Sequence, residues 1–383
     1  MERPHLYIAG CRGIPARYGG FETFVEQLAP RLARDGYPVS VTCEGEKAQS
    51  DRWQGVERLI FPAAAKSVTA SIVNDRSALK LILARAQRGD KCMLLGYGLG
   101  PFGFFLVRKL QKRGVQFWIN PDGLEWKRSR WPWYGRLYLR LGERALCGQA
   151  DRIICDSAAI AAHERHSHPA AQTPVIEYGA PLFDPENAPE GGYSEFLEKY
   201  QLRQGHYYLT VGRFVAENNL LLILREYLQS HAQLPLLMVT NPDEGALMRQ
   251  VESLLQAHPA RAGKVHLVGP IYDAPLLARI RYGAYCYLHG HEVGGTNPSL
   301  LESMGCRSAV CALDVDFNRE VLQEGGLFFS KEEGRLAVLF DKMEAQGDKL
   351  LEPLRQANAR RIQEYYNWER ITSLYERLIA GAL

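Results

Sequence analysis

Short apolar runs rich in β-prone residues alternate along the chain with longer amphipathic stretches. The runs read as strands at residues 6–9, 39–43, 91–95, 116–119 and 152–155, and again at 207–211, 236–240, 264–267, 284–289 and 309–312. Between them apolar residues recur at helical spacing, as in Phe24, Val25, Leu28 and Leu32. This alternation is the signature of an α/β protein with parallel sheets covered by helices on both faces.

The runs fall into two groups. Residues 178–206 separate them and carry Pro181, Pro185, Pro189, Gly191 and Gly192, a linker composition with one short helical segment near 194–200. The pattern predicts a first domain over 1–185, a linker over 186–205 and a second domain over 206–360. Leu354, Ile362, Tyr366, Ile371, Leu374 and Leu378 then recur at helical intervals around an interruption at Asn367 and Trp368, which reads as two helices with a kink. The terminal helix, within 361–383, either closes the second domain or crosses back to the first.

Length and composition agree with this division. At 383 residues the chain exceeds what one core usually organises. Its 46% hydrophobic and 23% charged residues are those of a soluble globular protein, neither disordered nor embedded in a membrane. A net charge of +3 is too weak to argue for a nucleic-acid partner. The longest apolar stretches, 100–107 and 309–315, fall short of a bilayer-spanning helix. Met1 leads into Leu6, Tyr7 and Ile8 without the order of regions a signal peptide needs, so a cytoplasmic location is expected. The eight cysteines are scattered, with no metal-ligand spacing, and read as buried thiols; no metal is expected.

Candidate chemistry begins at the loop after the first strand. Gly10 to Glu22 joins a strand, a glycine loop and a helix start, an arrangement in which backbone N–H groups and the positive helix end converge on an anion. The spacing departs from G-x-G-x-x-G, which argues against dinucleotide oxidoreductase chemistry. Gly19 and Gly20 would let a diphosphate or sugar approach the backbone; a tight turn needing positive φ is the alternative. Arg12 and Arg17 flank the loop as anion ligands or as solvated surface residues.

In the second half, Thr296-Asn297-Pro298-Ser299 is a helix start with Asn297 as N-cap and Pro298 at the first helical position. Gly294 and Gly295 just before it remove side chains, so that a pyrophosphate or sugar could touch the backbone. Arg213 follows the strand at 207–211 and Gly212, at a sheet's carboxyl edge, where α/β ligands bind. A guanidinium there can grip a diphosphate and neutralise a leaving group, or form a surface ion pair. Asp122 stands at the corresponding edge after 116–119, as an acceptor-orienting carboxylate or as a turn former before Gly123. Residues 126–136 interleave Trp and Tyr with Lys and Arg, which suits an anionic membrane interface, single-stranded nucleic acid, or packing between domains.

These segments together resemble a known family. The string 12–22, with Asp122-Gly123-Leu124-Glu125-Trp126-Lys127-Arg128, Val211-Gly212-Arg213-Phe214-Val215 followed by Glu217-Asn218-Asn219, and the segment 294–302, is similar to bacterial rhamnosyltransferases of glycosyltransferase family 4. The resemblance implies a GT-B fold, two Rossmann-like domains facing across a cleft, with no required metal and a retaining outcome. It implies a nucleotide diphosphate donor held by Gly19, Gly20, Arg213, Asn218, Ile271, Tyr272, Gly294, Gly295, Thr296, Asn297 and Glu302. Glu302 takes the ribose hydroxyls in this reading, although helix-terminus electrostatics also accounts for a carboxylate there. Ile271 and Tyr272 match the nucleobase segment or serve as packing. It places the acceptor at Arg12, Arg17, Tyr18, Asp122, Glu125 and Trp126, with Asp122 and Arg213 catalytic.

Many relatives carry a glutamate where this chain has Gly294, a lysine where it has Asn218, and a histidine near Asp122. The first departure fits a deoxy sugar, and the second leaves the diphosphate's charge to Arg213 with Arg319 or another base. The expected reaction moves a hexosyl group, L-rhamnose from dTDP-L-rhamnose, onto a saccharide carried by a polyprenyl diphosphate at the cytoplasmic face of the membrane, in surface polysaccharide synthesis (capsule, O-antigen or exopolysaccharide). Another UDP- or GDP-sugar, or sugar-nucleotide epimerisation on the same fold, are the alternatives.

Overall fold

The computed structural model describes the chain except residues 1–2, 18, 66, 68, 122, 128–130 and 241–244. It divides into two compact units, Met1–Tyr178 with Trp368–Leu383, and Gly179–Asn367.

The first unit is built on β1 (Leu6–Ala9), β2 (Val39–Gly45), β3 (Gln49–Trp53), β4 (Val56–Pro62), β5 (Lys91–Leu95), β6 (Gln116–Asn120) and β7 (Arg152–Ile153), in the order β3-β4-β2-β1-β5-β6-β7. All neighbours are parallel except the β3–β4 hairpin at the edge. β1 and β5 are buried throughout, as an apolar run between two neighbours on each side must be. The chain runs outward from β1 to β2 and its hairpin, then returns to set β5 on the other side of β1. Loops from the carboxyl ends of β1 and β5 therefore diverge at this reversal, the crevice where open α/β sheets take ligands.

Helices α1 (Gly20–Arg34), α2 (Ala70–Arg85), α3 (Phe104–Lys112), α4 (Trp133–Cys147) and α5 (Ala158–Ser167) cover this sheet. The second unit contributes α6 (Tyr193–Lys199), α7 (Leu220–Gln229), α8 (Ala246–Ala257), α9 (Pro259–Ala262), α10 (Ala274–Tyr282), α11 (Pro298–Gly305), α12 (Asp316–Leu322), α13 (Arg335–Gln346) and α14 (Asp348–Glu364). The last helix, α15 (Trp368–Ile379), belongs to the first unit. Its Trp368 and Tyr375 rings lie 6.3 and 5.8 Å from Phe24 of α1, and Arg370 pairs with Glu177 at 3.4 Å.

The second sheet is β8 (Tyr208–Val211), β9 (Leu236–Val239), β10 (Val265–Val268), β11 (Cys286–His289), β12 (Val310–Leu313) and β13 (Gly326–Phe329), parallel in the order β10-β9-β8-β11-β12-β13. Its reversal lies between β8 and β11. The core packs Tyr208, Ile223, Leu224, Leu288 and Phe340 around these central strands.

Two sequence expectations change. The stretch 186–205 folds as part of the second unit, because α6 buries Tyr193 and Phe196 and Arg279 donates to the Pro189 carbonyl at 3.3 Å. The units meet in sequence at Tyr178 and Gly179, ahead of the Pro- and Gly-rich segment. In addition β3, β4 and β13 join the sheets beyond the ten expected runs. β3 reads Gln-Ser-Asp-Arg-Trp, an edge strand whose residues face water and so carry no apolar signal.

Candidate functional site

In the second unit the sheet's reversal brings together the loops that leave β8 and β11. Gly212 and Arg213 follow Val211, and the Asn218 amide donates from Nδ2 to the Arg213 carbonyl at 2.8 Å, closing the turn that presents the exposed Arg213 side chain. Asn219, in the left-handed region at φ 53°, donates to the Gly290 carbonyl at 2.8 Å and to Glu292 Oε2 at 3.0 Å. A Cβ added to Gly212 would lie 3.2 Å from His291 Cε1, so that ring sits directly against the β8 loop. The His291 ring stacks on His289 with centroids 4.4 Å apart. His289 is fully buried, and neither ring nitrogen has a hydrogen-bond partner. Burial, reinforced by His291, holds its basicity well below the ordinary histidine range, so it stays neutral.

The β11 loop then runs through Gly294 and Gly295 into α11. Gly294 has φ 138°, and no atom lies within 4 Å of where its side chain would start. A larger residue would be strained there, and the space beside it is open. Asn297 caps α11: its side chain accepts from Ser299 N at 2.9 Å and Leu300 N at 3.4 Å. Gly295 and Thr296 are buried between these points. The β8 loop that carries Arg213 and the loop into α11 thus leave adjacent strands at the same sheet edge, and Ser299 of α11 reaches the Val211 carbonyl at 3.5 Å.

Glu302 lies in α11, and Arg281 of α10 meets its Oε2 at 2.6 Å. Arg281 is 5% exposed and also reaches Ser299 Oγ at 3.3 Å. Burial opposes its charge, and the Glu302 carboxylate more than offsets that, holding the guanidinium above its usual value. Sequence reasoning missed Arg281, which stands 21 positions from Glu302 on a different helix. A carboxylate offers about four lone-pair directions, so the ion pair leaves Glu302 further accepting capacity.

The remaining donor-side residues have their own partners and positions. Asn218 is buried, and one N–H of its amide closes the loop on the Arg213 carbonyl. Arg319 is paired with Asp314, 2.7 Å at Nη2. Ile271 and Tyr272 sit on the loop after β10, two strands from β8, about 10 Å away at ordinary strand spacing. Tyr272 is exposed. Glu292, paired with Lys331 and fixed by Asn219, is a carboxylate on the β11 loop that the motif comparison overlooked, two positions before Gly294.

In the first unit two amides of the glycine loop are already bonded to carboxylates of α1. Glu22 Oε1 accepts from Arg12 N at 2.9 Å and Glu26 Oε1 accepts from Ala16 N at 3.0 Å. A Cβ on Gly19 would lie 3.2 Å from Glu22 Oε2, so that carboxylate lies against the start of α1. Arg12 and Arg17 are exposed beside the loop, while Tyr18 and Asp122 lie outside the described residues.

Glu125 and Trp126 each have a fixed partner. Trp131 Nε1 donates to Glu125 Oε1 at 2.9 Å, and Trp126 Nε1 donates to Glu143 Oε2 at 2.5 Å. Both indoles pack against the core, since a buried indole N–H needs an acceptor and an apolar bed. Asp75 of α2 is the acid that sequence reading passed over. Its Oδ2 would meet a Cβ on Gly98 at 3.3 Å, beside the loop leaving β5 at the sheet reversal. Burial, reinforced by Glu44, pushes its carboxyl up to about 7.

Among the described residues, Cys147 with Glu164 and His168, and Glu143 with His163 and Glu164, could each offer three donor atoms to a cation within 4.8 Å of one another. They lie where α4 packs near α5, and the donor-side loops contain no such grouping among the described residues. All eight cysteines are free and buried. No helix among the described residues is long and apolar enough to cross a membrane.

Residues 3–181 match a family model described as Domain of unknown function (DUF1972). The comparison with curated proteins found no match. Among solved structures, a sucrose-phosphate synthase from Thermosynechococcus elongatus is similar with a TM-score of 0.79 and 20% identity, over 99% of this chain and 100% of that one. HepE of Anabaena, in complex with UDP, is similar at 0.74 and 12%, over 99% and 100%. A glycosyltransferase from Rickettsia africae is similar at 0.74 and 12%, over 100% and 99%. The fold of the chain is that of the GT-B glycosyltransferases.

Proposed function

We propose that this protein is a retaining glycosyltransferase whose second unit holds a nucleotide diphosphate sugar at the reversal between β8 and β11. The observation that carries this reading is the pairing of Arg213 with the start of α11 on adjacent strands. A guanidinium and a helix N-terminus can neutralise a departing diphosphate without a metal ion, and such fixed charge is usually the largest contribution to rate. The HepE relative, seen with UDP, supports a nucleotide ligand.

Within this reading Glu302 accepts from the ribose hydroxyls while Arg281 fixes its carboxylate. The open space at Gly294 takes the sugar, and Glu292 supplies a carboxylate near the position where many relatives of the resembled family have one. L-Rhamnose carried by dTDP is the donor the resemblance favours, with a polyprenyl-diphosphate-linked saccharide as acceptor. Asp122 and Asp75 are the two acids this reading sets at the acceptor. In the front-face reaction the bond from the anomeric carbon to the diphosphate breaks as the acceptor oxygen bonds to the same face. The acceptor's proton passes to the leaving phosphate oxygen, so no enzymic nucleophile is needed.

A panel of dTDP-, UDP- and GDP-sugars, screened by thermal shift and then for transfer to membrane extracts, tests the reading. Stabilisation by one nucleotide family with acceptor-dependent consumption of its sugar supports it. Conversion of the sugar without acceptor would mark an epimerase, and no stabilisation by any member would contradict a donor site.

A further inference from the structure

α4 has apolar residues on two sides. Leu139, Leu146 and Cys147 face the core, as in any helix covering a sheet. Trp133, Leu137 and Leu141, one turn apart, face water, with Tyr134 beside them. Trp133 is 76% exposed, and a helix that only covered the sheet would be polar on this side.

The face continues beyond α4. Tyr138 lies 6.5 Å from the exposed ring of Phe102 and donates to the Leu99 carbonyl at 2.9 Å. A Cβ on Gly142 would come 2.8 Å from Gly100 Cα, so α4 and the turn at Gly100–Gly103 are locked together. Phe105, 73% exposed, follows one turn after Phe102. One rigid surface therefore carries six large exposed side chains, beyond the scattered apolar residues of an ordinary surface.

The exposed charges that α3 and α4 themselves carry are of a single sign. α3 and its C-cap carry Arg108, Lys109, Lys112 and Arg113, all exposed, and no acid. α4 carries exposed Arg136, Arg140 and Arg144, and its one acid, Glu143, is buried against Trp126 and His163. In a chain of 46 basic and 43 acidic residues this local excess is marked. A second copy docked face to face would bring these cations against one another. Tryptophan, tyrosine and phenylalanine among arginines and lysines instead match the headgroup zone of an anionic bilayer.

We propose that the exposed face of α3 and α4 is the surface by which this protein docks on an anionic lipid bilayer. The inference sits within the membrane-borne acceptor of the proposed function, yet it rests on surface chemistry alone, so vesicle binding and sugar transfer fail separately. It also replaces Trp126 and Trp131, which point inward, as the membrane contact.

The test is co-sedimentation of the full chain with vesicles of phosphatidylcholine and phosphatidylglycerol, compared with phosphatidylcholine alone. Two triple variants accompany the wild type: Phe102→Ser/Trp133→Ser/Leu137→Ser and Lys109→Glu/Lys112→Glu/Arg136→Glu. The replaced side chains are exposed, so melting temperatures should hold, and the second variant decides if the first fails to fold. Wild-type protein should bind the anionic vesicles in a salt-sensitive way and the neutral ones weakly. The charge variant should lose roughly a hundredfold in partition. Equal binding by wild type and charge variant, or no binding to anionic vesicles, would overturn the proposal. So would light scattering that shows the variants turning a dimer into a monomer, or tighter capture of a single-stranded oligonucleotide than of vesicles.

Discussion

Arg281 holds the Glu302 carboxylate at 2.6 Å from a position almost wholly buried, while the Glu302 side chain keeps 32% of its surface in solvent. The carboxylate is oriented from behind and presented outward. Holding a ligand group in one rotamer lowers the entropy lost when substrate binds.

Glu302→Ala therefore has two effects. It removes the proposed ribose acceptor, and it strands a buried guanidinium, which should cost about 2 kcal/mol, less than a fully buried pair because Glu302 is partly hydrated. Calorimetry should show a lower melting temperature together with weakened dTDP or UDP binding. Adding Arg281→Met should recover most of the stability and none of the affinity. Recovery of both would assign the pair to structure alone.

Arg213 projects, exposed, from a turn closed by Asn218. Arg213→Ala should leave the melting temperature unchanged and lower turnover by roughly a hundredfold, more than it lowers nucleotide affinity. Steady-state kinetics set beside equilibrium binding checks this. An effect confined to affinity would contradict the leaving-group role.

Asn297 separates capping from charge. Aspartate caps as well as asparagine, so Asn297→Asp should keep the stability of α11 within a few tenths of a kcal/mol. It also sets a carboxylate beside the proposed diphosphate, and nucleotide affinity should fall about tenfold or more at low salt. Asn297→Ala should cost about 1 kcal/mol of stability instead. Unchanged nucleotide affinity in Asn297→Asp would move the diphosphate away from this helix.

Asp75 gives a pH signature. Its carboxyl is raised to about 7 in the folded protein, against about 4 in an unfolded chain, so the folded state binds the extra proton between those values. Its contribution to stability is full below pH ~4 and is lost as pH rises through ~7. Asp75→Asn removes that loss: melting temperature relative to wild type should rise at pH 8 and show little change at pH 4. A difference independent of pH would show that Asp75 does not titrate in this range.

The alternation of apolar runs with amphipathic stretches carried the two sheets, because buried parallel strands must be apolar from end to end. Asn297 and Pro298 were legible for a similar reason, since capping chemistry is local. What stayed hidden depends on neighbours distant in sequence. Nothing near Glu302 announces Arg281, and nothing near Gly19 shows that Glu22 and Glu26 fold back on the loop's amides. The stretch 126–136 offered an anionic membrane interface, single-stranded nucleic acid or packing between domains, and nothing local tells that Trp126 and Trp131 pack on the core while Trp133 faces water with Leu137 of the same helix. Proline and glycine around 181–192 read as a linker, although Tyr193 and Phe196 anchor that segment in the second unit.

The account stands on a nucleotide diphosphate lodging where the β8 and β11 loops diverge. Hydrogen exchange read by mass spectrometry, with and without dTDP or UDP at saturating concentration, locates that ligand residue by residue. Slowed exchange should concentrate at 212–219 and 290–302, and the effect should shrink in Arg213→Ala. Protection confined to 10–20 in the first unit, or none anywhere, would contradict it.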